Sequence, residues 1–130
     1  MGNEYTFQGY ETIEGNRMSL DVDLMVTQPT SVFSRNITHN LNTMAMEVKL
    51  GGSLTLYDVL WRPDEHGMNF AKDISEHLDV GWNILLSDPT KFKMFNPSNG
   101  WGSYEGLVDF VYNYRNACWE NPEAELSVSR

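Results

Sequence analysis

Three short stretches of this chain concentrate side chains that can do chemistry. In Asn36-Ile37-Thr38-His39-Asn40, several hydrogen-bonding side chains crowd together where strand-like alternation gives way to helical spacing. Free backbone N–H groups and capping side chains converge at such a junction, a common setting for a polar ligand. The same residue types also make ordinary helix caps, and His39 could simply satisfy a neighbouring carbonyl. In Leu60-Trp61-Arg62-Pro63-Asp64-Glu65, an indole stands beside a guanidinium. That pair could stack a planar ligand and grip a phosphate or carboxylate with a two-pronged hydrogen bond. The competing reading pairs Arg62 with Asp64 or Glu65 at the surface while Trp61 fills the core. In Asn99-Gly100-Trp101-Gly102-Ser103-Tyr104-Glu105, two glycines bracket a tryptophan just ahead of a strongly periodic segment. Glycine is kept where the chain must turn with positive φ or approach something closely, and tryptophan brings a large ring with one N–H donor. This is either a shaped aromatic loop that receives a ligand or a packing loop with Trp101 tucked under a sheet.

Other chemistries find less support. Asp64, His66, His77 and His39 lack the H-x-x-x-H or H-E-x-x-H spacing that places two imidazoles on one metal, so no metal site is expected. No G-x-S-x-G elbow is present, and Cys118 falls in an apolar stripe rather than at a helix start. Gly51-Gly52-Ser53 lacks the lysine of a phosphate-binding loop, and no cofactor is implied. Carboxylates are plentiful, but none is marked by its context as an acid or a base.

The 130 residues suffice for one domain with a real core, and 4 Trp, 6 Tyr and 6 Phe exclude a disordered chain. Eighteen acidic against nine basic residues leave a net charge of −9, which disfavours general binding to nucleic acid or anionic membrane. A local basic pocket stays compatible with that balance. The single cysteine rules out an intrachain disulfide, and on an apolar helical face it reads as a buried, inert thiol. Without a signal peptide or a long apolar run, an intracellular soluble protein is expected, and Asn36-Ile37-Thr38 reads as a chance glycosylation match.

The elements that must position these stretches follow from periodicity. Residues 1–17 read as a loose arm or edge strand, and residues 18–130 as a single domain. Met18, Leu20, Val22, Leu24 and Val26 alternate with polar residues and predict a half-buried strand. A weaker strand over Ser31 to Ile37 follows a turn around Pro29. Leu41, Met44, Ala45 and Val48 predict a helix capped by Thr38 or Asn40, and Ser53 a second short helix from Leu54 to Trp61. Arg62 to Gly67 reads as loop. A long helix is expected over Ala71 to Ser87 with Ile74, Leu78, Gly81 and Leu85 inward, then a short one started by Asp88-Pro89. Leu107, Phe110, Val111, Tyr114 and Cys118 mark the clearest helix, Ser103 to Trp119, stopped by Asn121-Pro122. Ala124 to Ser129 alternates as a terminal strand that could pair with the first. The class is α+β: a small, mainly antiparallel sheet covered on one side by three to four helices.

Taken in order, Ile37-Thr38-His39-Asn40-Leu41, Leu60-Trp61-Arg62-Pro63-Asp64-Glu65, Asn99-Gly100-Trp101-Gly102 with Tyr104-Glu105, and the close Ser127-Val128-Ser129-Arg130 resemble a family of small uncharacterised phage and prophage proteins. The resemblance spans roughly residues 35–130, and departs from the family's pattern around Met46 to Leu56 and over residues 1–30. It implies no activity, but it implies a setting: an accessory protein in the cytoplasm of an infected or lysogenic bacterial host, some of which bind nucleotide signals without altering them. The expected function is such a sponge, non-enzymatic, for a small polar or nucleotide-like ligand. Trp61, Trp101 and Tyr104 would stack, Arg62 would meet the anion, and Thr38, His39, Asn40 and Asn99 would read polar edges. A homo-oligomer with pockets between subunits would suit it. Two alternatives stand beside it: an inhibitor that binds a host enzyme through an acidic face carrying Asp21, Asp23 and Glu125, and a small phosphodiesterase with His39 as general base.

Overall fold

The computed structural model describes residues 19–27 and 30–130; the expected N-terminal arm, Met18 and the turn at Pro29 lie outside them. Alternation builds β1 (Ser19–Thr27), whose Leu20, Val22 and Leu24 are fully buried. Val26, expected on the same face, is 50% exposed, because the pairing with the next strand shifts register twice between Leu24 and Thr27. That next strand, β2 (Thr30–Thr38), lies antiparallel to β1 and turns Phe33 and Ile37 inward. The last strand, β5 (Glu125–Ser129), pairs antiparallel with the other side of β1 and gives the order β2-β1-β5. The fold is α+β, with this antiparallel sheet beneath helices.

Between the hairpin and the long helices the chain is tighter than its periodicity suggests. The first helical segment opens as a 3-10 turn, His39–Leu41, capped by Thr38, and continues as α1 (Asn42–Met46). The helix expected from Leu54 begins later. The chain reverses at Gly51-Gly52, where φ values of 137° and 57° suit only glycine, and pairs β3 (Lys49–Gly51) with β4 (Leu54–Thr55). Thr55, not Ser53, then caps α2 (Leu56–Trp61). The Asp58 N–H donates to Thr55 Oγ1, while the Thr55 N–H donates to Asp58 Oδ2 at 2.9 Å. A reciprocal capping box satisfies two free donors at once and outcompetes a lone serine. The expected loop at Arg62 to Gly67 is a 3-10 turn, Pro63–His66, closed by Gly67 in the left-handed region.

Helix α3 (Ala71–Ser87) buries Ile74, Leu78, Gly81 and Leu85, and α4 (Pro89–Lys93) starts on the Asp88 cap. Helix α5 (Tyr104–Glu120), capped by Ser103, turns Leu107, Phe110, Val111, Tyr114 and Cys118 inward. Tyr114 is wholly buried between Phe110 and Phe33, its ring stacked on Phe33 at 5.6 Å. Where α3 and α5 meet, Arg115 is buried among the rings of Trp82, Tyr112 and Trp119, with guanidinium-to-centroid distances of 4.5, 5.1 and 4.3 Å. Its charge is answered by Asp79 at 2.9 Å. No helix among the described residues is long and apolar enough to cross a membrane.

Burial in this core pushes the Cys118 thiol up to about 12. Thiolate is the reactive form, so the native protein should resist a thiol reagent at mildly alkaline pH and react fully only once unfolded by denaturant. Rapid stoichiometric labelling of the folded chain would contradict the burial.

Candidate functional site

The three stretches that could do chemistry do not form one site. Trp61 is only 2% exposed. Its Nε1–H donates to His39 Nδ1 at 2.7 Å, and its ring stacks on Tyr57 at 5.3 Å. The indole therefore offers no face to a ligand. Its carbonyl accepts from Arg130, which also forks onto Asp64 at 2.9 and 3.3 Å. Arg62 reaches Glu65 at 2.9 Å and the Tyr57 hydroxyl at 3.3 Å, so the surface ion pair is the reading the geometry supports. This cluster ties the chain's last strand to the end of α2.

An indole N–H can only donate, so His39 Nδ1 must be the unprotonated nitrogen. Burial lowers the His39 pKa, in the same direction.

Tyr104 is also structural. Its hydroxyl donates to the Leu85 carbonyl at 2.6 Å in the interior, and its N–H donates to Asn96 Oδ1. Asn99 Oδ1 accepts from the Trp101 N–H at 2.9 Å, which shapes the loop. Trp101 itself is 70% exposed, so it neither tucks under the sheet nor lies in a formed pocket. Asn40 is half-buried and uses its N–H on Thr38 Oγ1 at 3.2 Å.

Thr38 has a second neighbour, and there two of the stretches meet. Gly102 sits at φ +100° with its α-carbon pressed against the 3-10 turn. A Cβ built there would come within 2.7 Å of Thr38 Cγ2 and 3.0 Å of Leu41 Cγ. This contact brings the end of β2 to the start of α5 and leaves a cleft of about 240 Å³ between them. Ile37, Leu41 and Phe110 form its apolar floor. Arg35, Asn36 and Thr38 stand on the β2 side, with Ser103, Asp109 and Asn113 on the α5 side. The Arg35 guanidinium lies 5.1 Å from the Phe33 ring centroid and donates to the Ser34 carbonyl at 2.9 Å. Among the described residues it makes no ion pair.

Consecutive residues thus diverge: Thr38 faces the cleft and His39 turns to Trp61. Sequence reasoning missed Arg35, Ser103, Asp109 and Asn113. The available signals were a lone cation in β2 and a polar i, i+4 pair flanking the apolar stripe of α5. No protein-family model, no curated protein and no solved structure matches this chain.

Two outcomes follow from these contacts. Gly102→Ala meets both a left-handed φ and a steric clash, and should cost roughly 2 kcal/mol in urea unfolding. Because the folded His39 binds a proton less readily than the unfolded chain, its contribution to stability is present above about pH 6.5 and is lost as pH falls below it. Unfolding free energies at about pH 7.5 and about pH 5.5 should therefore differ more in the native sequence than in His39→Gln. An identical pH dependence in both would contradict the Trp61–His39 bond.

Proposed function

We propose that the cleft between β2 and α5 is a binding site for a small anionic ligand of the nucleotide class, held without chemical change. The observation that carries the reading is Arg35. In a chain of net charge −9, a guanidinium without an ion-pair partner among the described residues stands on the wall of this cleft. A phosphate is the group that a guanidinium in this position recognises best. Amides and hydroxyls around it supply polar readers above the apolar floor. The volume of about 240 Å³ falls just below the usual range of small-molecule pockets, which suits at most one nucleotide unit. Trp101, on the loop that leads into Gly102, is the exposed ring nearest in sequence.

The resemblance to small phage proteins extends this reading into a role. A protein that sequesters a host signalling nucleotide would act as a sponge and counter host defence. The acidic-face alternative has one observation in its favour: Asp21, Asp23 and Glu125 share the sheet face opposite the core. Burial raises the carboxyls of Asp21 and Asp23, however, and serines interleave with them, so the face is a poor mimic of a phosphate array.

Thermal unfolding in the presence of mononucleotides tests the proposal. A ligand at 100 times its dissociation constant should stabilise the fold by about 2.7 kcal/mol. Arg35→Ala should weaken binding at least about tenfold, as expected for loss of a charged hydrogen bond. The ligand should be recovered unaltered by chromatography, and a converted ligand would make the protein an enzyme.

A further inference from the structure

Two residues on the α5 wall of the cleft, Asp109 and Asn113, offer acceptors to a ligand that also meets the Arg35 guanidinium on the β2 wall. On α5, Asn113 Nδ2 donates to the Asp109 carbonyl at 2.8 Å, one turn back along the helix. That bond fixes the orientation of the amide, because the oxygen in that position would face another oxygen. Asn113 Oδ1 is then the branch directed away from the helix backbone. Asp109 lies one turn earlier on the same side and also lines the cleft, and among the described residues its carboxylate makes no ion pair. The α5 wall therefore presents a carboxylate and an amide oxygen, both acceptors, with the Ser103 hydroxyl, whose oxygen accepts from the Gly106 N–H at 3.1 Å, at the start of the helix. Across from it, Arg35 can only donate.

We infer that the cleft selects a guanine mononucleotide, an inference that rests on the nucleotide-class reading of the same site. Two neighbouring acceptors call for two neighbouring donors on the ligand. Guanine supplies them as N1–H and the exocyclic N2 amino group. Adenine and cytosine set one amino group beside a ring-nitrogen acceptor, and uracil sets one N–H between two carbonyls. Each of those would turn a lone pair toward Asp109 or Asn113, and an unpaired polar contact of that kind costs affinity. The phosphate goes to Arg35, the one cation on the lining among the described residues, which matches a single phosphate group rather than a polyphosphate.

Calorimetric titration of the full chain with 5′-GMP and 5′-AMP tests this directly, in the native sequence, Asp109→Ala and Arg35→Ala. GMP should bind the native protein at least about tenfold more tightly than AMP, the discrimination expected of a bidentate base contact. Asp109→Ala, at an exposed position, should erase that preference while leaving the unfolding temperature of the free protein nearly unchanged. Arg35→Ala should weaken both nucleotides alike. Equal affinity for GMP and AMP, both lost in Arg35→Ala, would overturn guanine selection and leave the cleft as a nucleotide site. A GMP preference that survives Asp109→Ala would overturn the role given to that carboxylate. Binding of neither nucleotide would overturn the nucleotide-class reading together with this one.

Discussion

The packing of α5 across the sheet is the constraint from which the rest of the molecule follows. Tyr114 sits at its centre, fully buried, with Phe33 stacked on one side and Phe110 tilted against another. Large aromatic rings bury more area per residue than any aliphatic side chain and prefer defined geometries. They therefore set both the height of the helix above the strands and its rotation about its own axis. That rotation decides which of its polar residues look toward β2. Asp109 and Asn113 flank Phe110 on the helix, and so they line the gap beside the sheet edge. Burial pushes the Tyr114 hydroxyl well above its ordinary range, so this anchor stays neutral wherever the protein is folded.

On the opposite side α5 is locked to α3 by a different device. Arg115 is surrounded by three aromatic faces and paired with Asp79, so a charge buried at the helix–helix contact is satisfied in full. The helix is thereby held by stacking on one flank and by cation–π contacts on the other. A cleft between a strand and a helix keeps its shape only if both walls are fixed, and here each wall belongs to a rigid element.

Much of this architecture was legible in the residues. Period two over Met18 to Val26 and the 3.6 period of α3 and α5 placed the main elements and most of their buried faces. What failed was local. Gly51-Gly52 ended a segment as expected, but the hairpin it closes depends on two positive φ angles that composition alone does not announce. Val26 left the core because of a register shift, and register belongs to a pair of strands, not to one. The candidate site was harder for the same kind of reason. Trp61, Arg62 and Tyr104 have the side chains a ligand site would use, yet their partners are His39, Tyr57, Glu65 and Leu85, distant or unmarked in sequence. The cleft arises where Gly102 meets Thr38, a contact between residues that no periodicity links.

The placement of the 4 tryptophans also has an optical consequence. Trp61 lies in a dry interior and shares its indole proton with an imidazole. Trp82 and Trp119 flank a guanidinium, which polarises their rings. Trp101 alone combines 70% exposure with a place on the glycine-flanked loop that leads into the cleft. The chain thus carries indoles in three dielectric settings, and the red edge of its emission belongs to Trp101, the most exposed, and to Trp119, which is 52% exposed. A neutral quencher dissolved in water reaches that ring first, so the least constrained tryptophan is also the reporter that hears what happens at the end of β2.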